Sequence, residues 1–222
     1  MARSRSAAPI TAAVVVALIA ALTAAPAQAA IRSPGPAAVH DARGIDPAPC
    51  TEHLAANAVY RAEGAAYYTD AHGRPERAQA DDLTTSVADR GSCQRAVGHM
   101  AHSAEYDGGH LIAATLHGVD RRYDLVPQRA AINRGIYERM EAGAKSCLKK
   151  PGGRIEHYRV RVTYPDAETL VPDAFHTNIA VDTDAHPAQA IRLDIPNQTL
   201  SKDEYDKLRG ALDRGLSAAG CG

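Results

Sequence analysis

At 222 residues the chain is long enough for one domain with a real core, even after an N-terminal leader is set aside. Its 25 basic and 26 acidic residues give a net charge of −1, which excludes a chain-wide polyanion-binding charge. No stretch after Ala29 is apolar for long enough to cross a bilayer.

The leader comes first. Arg3 and Arg5, the apolar run Ile10 to Leu22 and the small-residue site Ala27-Gln28-Ala29 form a secretory signal over residues 1–29. The mature chain is expected to be secreted, extracellular and free of the membrane. Residues 30–49, rich in Ala, Pro and Gly, read as a flexible N-terminal arm, and residues 50–222 as the folded domain. Cys50, Cys93, Cys147 and Cys221 are an even count in an exported chain and imply two disulfides. Three connectivities are open. Cys50–Cys93 with Cys147–Cys221 would tie each half and anchor the C-terminus.

The spacing predicts a short helix over Glu52–Arg61, opened by Thr51. It then predicts a hairpin of Ala66–Thr69 and Arg77–Leu83 across the breakers Gly73 and Pro75. Ala88–His102 reads as loop with a helical turn over Cys93–His99. Asp107–Ala114 reads as a strand, and His117–Tyr123 as a polar loop before Pro127. Ala130–Leu148 carries Ile132, Ile136, Met140 and Ala144 at i, i+4 spacing and is the clearest helix, stopped by Pro151-Gly-Gly153. Ile155–Tyr164 alternates, with Tyr158, Val160 and Val162 on one face and Arg159, Arg161 and Thr163 on the other. Phe175–Val181 and Ala190–Ile195 are further strands. Ser201-Lys-Asp-Glu204 is a capping box opening a last helix to about Ala218. The order implies an α+β fold, an antiparallel sheet with packed helices. Between Arg129 and Arg161 basic residues exceed acidic ones by about six, a phosphate-tracking face or a solvated helix surface.

Three kinds of chemistry fall within one short stretch. His110 can exchange a proton near neutral pH. Asn133 offers a neutral hard oxygen and Glu141 a charged one. Gly108 and Gly109 allow a sharp turn, or a close approach by a ligand, just before the histidine. The stretch Asp107-Gly-Gly-His110-Leu-Ile-Ala, Leu125-Val-Pro-Gln128 and Asn133-Arg-Gly-Ile-Tyr-Glu-Arg-Met-Glu141 resembles the DNA/RNA non-specific endonucleases of the His-Me finger (ββα-metal) class. The hairpin Tyr67-Tyr-Thr-Asp70 to Gly73-Arg-Pro75 extends the similarity to that family's secreted bacterial members.

The resemblance implies a His-Me finger core and hydrolysis of DNA and RNA to 5′-phosphorylated products. It implies His110 as general base, a role suited to an imidazole whose ordinary pKa is about 6.5. It implies Asn133 as ligand of Mg²⁺, with Mn²⁺ a possible substitute. One neutral protein ligand suits an ion that keeps several of its waters. On a regular helix Glu141 lies about 80° around and roughly 12 Å along from Asn133, so it is expected to act on the metal through water. Gln128 is expected to make a supporting hydrogen bond.

Two positions depart from the family pattern. Gly108 stands where an arginine is usual, so Arg134 or Arg122 must supply the cation that stabilises phosphoryl charge. Asp124 stands where asparagine is usual; in contact with His110 it would raise the pKa of the base. A zinc site built from His99, His102, His110 and His117 is a rival reading. The other alternative is a binding module on a nuclease-like fold that has lost turnover. A monomer is expected, and a protein inhibitor is left open.

Overall fold

Eleven residues of strand at the C-terminal side of the sheet, His186–Pro196, show how the alternating pattern becomes architecture. Ile191, Leu193 and Ile195 are buried, while Arg192 and Asp194 between them are exposed. In a strand successive side chains point to opposite faces, so one face of the sheet is apolar and the other polar. The computed structural model describes residues 39–41, 50–87 and 91–222. The expected signal sequence and most of the expected arm lie outside the described residues.

In chain order the elements are β1 (Val39–Asp41), β2 (Val59–Ala62), β3 (Ala65–Thr69), β4 (Pro75–Leu83), α1 (Ser92–His99), β5 (Tyr106–His110) and β6 (Leu125–Arg129). A helical segment follows, made of α2 (Ala130–Ile132), a π-turn (Asn133–Tyr137) and α3 (Glu138–Cys147). Then come β7 (Arg154–Thr163), β8 (Ala174–Thr183), β9 (His186–Pro196) and α4 (Lys202–Ala218). Seven strands form a sheet in the order β1-β2-β3-β4-β7-β8-β9, antiparallel except for the β1–β2 pair. β5 and β6 form a separate antiparallel hairpin. Among the described residues no helix is long and apolar enough to cross a membrane.

The apolar face of the sheet, with Ala78, Ala80, Tyr158, Val160, Val162, Phe175, Ile179 and Val181, belongs to one core with the stripe Ile132, Ile136, Met140 and Ala144. Leu212 and Leu216 of α4 complete it. The predicted stripe and the predicted alternation of β7 are therefore both buried as read. The capping box forms: Ser201 Oγ accepts from the Glu204 amide at 3.3 Å, and Glu204 Oε2 accepts from the Ser201 amide at 2.8 Å. The disulfides are Cys50–Cys93 and Cys147–Cys221.

The expected helix over Glu52–Arg61 does not form. Its last three residues belong to β2, where Tyr60 pairs with Tyr67 and stacks on Tyr123 at 4.9 Å between ring centroids. Those long-range aromatic contacts override a weak local propensity. The strand expected over Asp107–Ala114 ends at His110, and Leu125–Arg129, around the Pro127 read as a helix breaker, is a strand. Proline is tolerated there because the hairpin has only two strands.

Candidate active site

A cleft of about 580 Å³ opens at the hairpin and the helix that follows it. His110, the last residue of β5, lies on its wall with Asn133, Arg134 and Glu141. These four sequence-predicted residues are thus brought together. Asp124, Gln128 and Arg122 do not line the cleft.

Local packing explains the arrangement. β5 and β6 pair in register, with His110 opposite Leu125 and Asp107 opposite Gln128. The chain then turns directly into the helix, so Asn133 returns beside the strand that ends in His110. Two cross-links hold the helix there. Asn133 Nδ2 donates to Asp107 Oδ2 at 3.1 Å, and the buried Tyr137 hydroxyl donates to the carbonyl of Leu111 at 3.1 Å. The helix is irregular at the point that matters. The π-turn Asn133–Tyr137, with Gly135 outside helical dihedrals, absorbs about one residue between Asn133 and Glu141. Their angular offset falls from about 80° to roughly 20°. Both side chains therefore face one cleft, although they stay about two turns apart.

Protein atoms take the Cβ positions of both glycines before His110. A Cβ on Gly108 would lie 1.9 Å from the backbone oxygen of Gln94, and one on Gly109 would lie 2.0 Å from Gln128 Oε1. Helix α1 thus occupies the space of a side chain at 108. It is fixed there by the Cys50–Cys93 disulfide and by Asp120, whose carboxylate accepts from the Gln94 amide at 2.8 Å and the Cys93 amide at 3.2 Å. The glycine at the family's arginine position follows from this close approach.

The cations of the cleft differ in their commitments. Arg134 makes a forked pair with Asp107, Nε to Oδ2 at 2.8 Å and Nη2 to Oδ1 at 2.6 Å. Burial opposes the charge on Asp107, but hydrogen bonds from Arg134 and Asn133 outweigh it and hold that carboxyl below its usual range. Arg122 is fully buried and donates Nη1 to the carbonyl of Leu125, so it is a structural residue. Arg95 of α1 and Lys145 of α3 also line the cleft, and among the described residues neither forms an ion pair. The sequence reading missed Arg95. Its only signal is indirect: a helix bearing an arginine packs against the glycine that replaces one.

Asp124 differs from its expected role. Its carboxylate accepts from the amides of Ile112 at 2.9 Å and Val119 at 2.8 Å, shaping the loop after His110. Burial pushes its carboxyl well above the usual range, against the pull of those amides. A raised folded-state pKa favours folding at low pH, and that stabilisation is lost as pH rises from the unfolded value, about 4, through the folded one. In urea denaturation from pH 4 to 8, wild type should therefore lose stability relative to Asp124→Asn as pH rises. A pH-independent difference would contradict the shift.

Gln128 is fully buried, and among the described residues its amide has no hydrogen-bond partner. The supporting hydrogen bond expected of it is not made; its side chain packs on Gly109 instead. The histidine cluster of the zinc reading is not gathered. His117 Nε2 lies 2.9 Å from Thr84 Oγ1, and among the described residues no group of three His, Cys, Asp or Glu side chains could hold an ion.

The family model for DNA/RNA non-specific endonucleases matches residues 56–183, a span that includes the hairpin, α1 and the whole helical segment from α2 to α3. The chain belongs to that family. The endonuclease is therefore a nuclease and a hydrolase. Among solved structures it is similar to EndoG in the EndoG/EndoGI complex, with 16% identity over 72% of this chain and 83% of that one and a TM-score of 0.52. NucA from Streptococcus agalactiae with magnesium bound shares 22% identity over 67% and 76% at a TM-score of 0.49. Metal-free NucA shares 19% over 64% and 75% at 0.44. The EndoG likeness shows a shared fold. No curated protein sequence matches.

Proposed function

We propose that the endonuclease is secreted and cuts DNA and RNA without regard to sequence, with a divalent cation, Mg²⁺, held through Asn133. The observation that carries this is the single cleft shared by His110, Asn133 and Glu141. The donor set fits the ion. Asn133 commits its Nδ2 to Asp107, which leaves its carbonyl oxygen as the hard neutral donor. The cleft also presents Glu138 and Glu141, whose carboxylates can accept from an ion's retained waters.

When bound, the cation would supply positive charge to the five-coordinate phosphorus and to the departing 3′-oxygen. His110 takes the proton of the attacking water as the new P–O bond forms and the P–O3′ bond breaks, leaving the phosphate on the 5′ side. Arg95 is placed to bind phosphate oxygens without first breaking an ion pair. Arg134 shares its charge with Asp107 and has Nη1 and the second N–H of Nη2 left to offer. The two disulfides favour an oxidising compartment, in keeping with export.

Plasmid nicking with and without EDTA tests the metal. Cleavage should stop in EDTA and return with excess Mg²⁺. Asn133→Ala should raise the Mg²⁺ concentration needed, and Arg95→Ala should lower kcat by about 100-fold, the usual loss for one transition-state donor. Undiminished cutting in EDTA would overturn the reading.

A further inference from the structure

The polar face of the seven-stranded sheet, opposite α3 and α4, carries an array of arginines that strand register alone assembles. One transverse row runs Arg61, Ala66, Gln79, Arg159, Asn178, Arg192 across β2, β3, β4, β7, β8 and β9. The adjacent row runs Val59, Tyr68, Arg77, Arg161, His176, Asp194 across the same strands. Five arginines from four strands thus share two neighbouring rows. Arg61, Arg161 and Arg192 are exposed, and Arg77 and Arg159 are half-buried.

Among the described residues none of the five forms an ion pair. The acidic side chains nearby are occupied: Asp194 by His176 at 2.6 Å and Asp81 by His157 at 2.7 Å. Arg77 lies over the Tyr68 ring at 3.9 Å. In a chain of net charge −1, this concentrates positive charge on one flat face. No strand of the large sheet lines the cleft, so the face is separate from the active site. The basic excess read between Arg129 and Arg161 divides accordingly. Arg129, Arg134 and Arg139 are paired with Glu105, Asp107 and Asp213, while Arg159 and Arg161 join this array.

We propose that this face is a second, non-catalytic nucleic-acid-binding surface that holds the phosphate backbone of a long duplex while another part of it is cut. Strands about 4.8 Å apart place Arg61 roughly 14 Å from Arg159, and Arg159 roughly 10 Å from Arg192. That is the scale on which phosphates line a groove of B-DNA. Guanidinium groups match phosphate as planar forks, and the row offers Gln79 and Asn178 as further donors. An acidic protein partner would need a buried apolar or aromatic anchor, and the exposed part of this face is polar. The inference needs only the family's activity on nucleic acid; it does not depend on the roles of His110 or Asn133.

The test compares His110→Ala protein with the same protein carrying Arg159→Gln, Arg161→Gln and Arg192→Gln. A fluorescent 40-base-pair duplex is titrated at several salt concentrations, and the duplex is recovered afterwards to show that it is intact. The triple variant should weaken binding by at least about 10-fold and lower the slope of log K against log salt by about 2 to 3. Replacement of the same three by lysine should keep most of the slope. In the otherwise wild-type enzyme, cleavage of an eight-nucleotide strand should be unchanged while cleavage of plasmid falls. Equal melting temperatures show that the fold is intact; if the glutamine triple unfolds, Arg161→Gln with Arg192→Gln, both exposed, is read in its place. An unchanged salt slope overturns the proposal, as does an equal loss on short and long substrates. Loss of binding to poly-glutamate or to phosphatidylglycerol vesicles, with duplex binding intact, also overturns it and gives the face to an acidic protein or a membrane.

Discussion

Replacing His110 with alanine should cut the rate of plasmid cleavage by about 10³-fold, the scale of a lost general base. His110 ends β5, is 7% exposed and has only the cleft side open to substrate. Its neighbours Leu111 and Ile112 are wholly buried, so the variant should keep its fold. The loss should fall on kcat, with DNA binding retained, because the proton moves only as the water attacks. Added imidazole should restore part of the rate, since truncation leaves space in a cleft already large enough for small molecules. A variant that cuts at the wild-type rate, or one impaired only in KM, would remove His110 from the chemistry.

Gly108→Arg, which restores the residue usual in the family, should do harm. The obstacle begins at the first side-chain atom. A Cβ at 108 meets the oxygen, carbonyl carbon and Cα of Gln94 at 1.9, 2.8 and 3.0 Å, all of them backbone. Helix α1 cannot simply back away. The disulfide and Asp120 hold its first turn, and a Cβ on Gly98 would meet the Gly108 amide nitrogen at 2.9 Å, so the two backbones are already in contact. A loss of about 3 kcal/mol or more is expected, as for severe overpacking. Gly108→Ala should lose nearly as much, which identifies the cause as steric. Urea denaturation and plasmid cleavage measure both. A stable Gly108→Arg enzyme that cuts faster than wild type would show that α1 is not the reason for the glycine.

What the sequence could reveal depended on range. His110 and Asn133 were legible because a hairpin and the next helix are contiguous; Glu141 was legible by its spacing, but it reaches the same cleft only through the π-turn. The stripe Ile132 to Ala144 and the alternation of β7 were legible because burial imposes their period. The π-turn was not, since a residue absorbed in mid-helix leaves no mark in that pattern. Arg95 was hidden for another reason. Its place depends on a glycine-to-backbone contact between α1 and β5 and on a disulfide to Cys50, neither of which local periodicity encodes. Gln128 and Asp124 matched or nearly matched a motif, yet they serve packing and loop shape. A motif records which residues stay together without saying which of them face the substrate.

The tie between Cys50 and Cys93 has a consequence for the cell that makes this enzyme. Arg95 sits two residues beyond Cys93, so the helix that walls the cleft is covalently secured only after the thiols have joined. Where thiols are kept reduced, that wall would rest on Asp120 and a pair of glycines alone, and the cleft would be less firmly held. Oxidation of the two thiols would complete it.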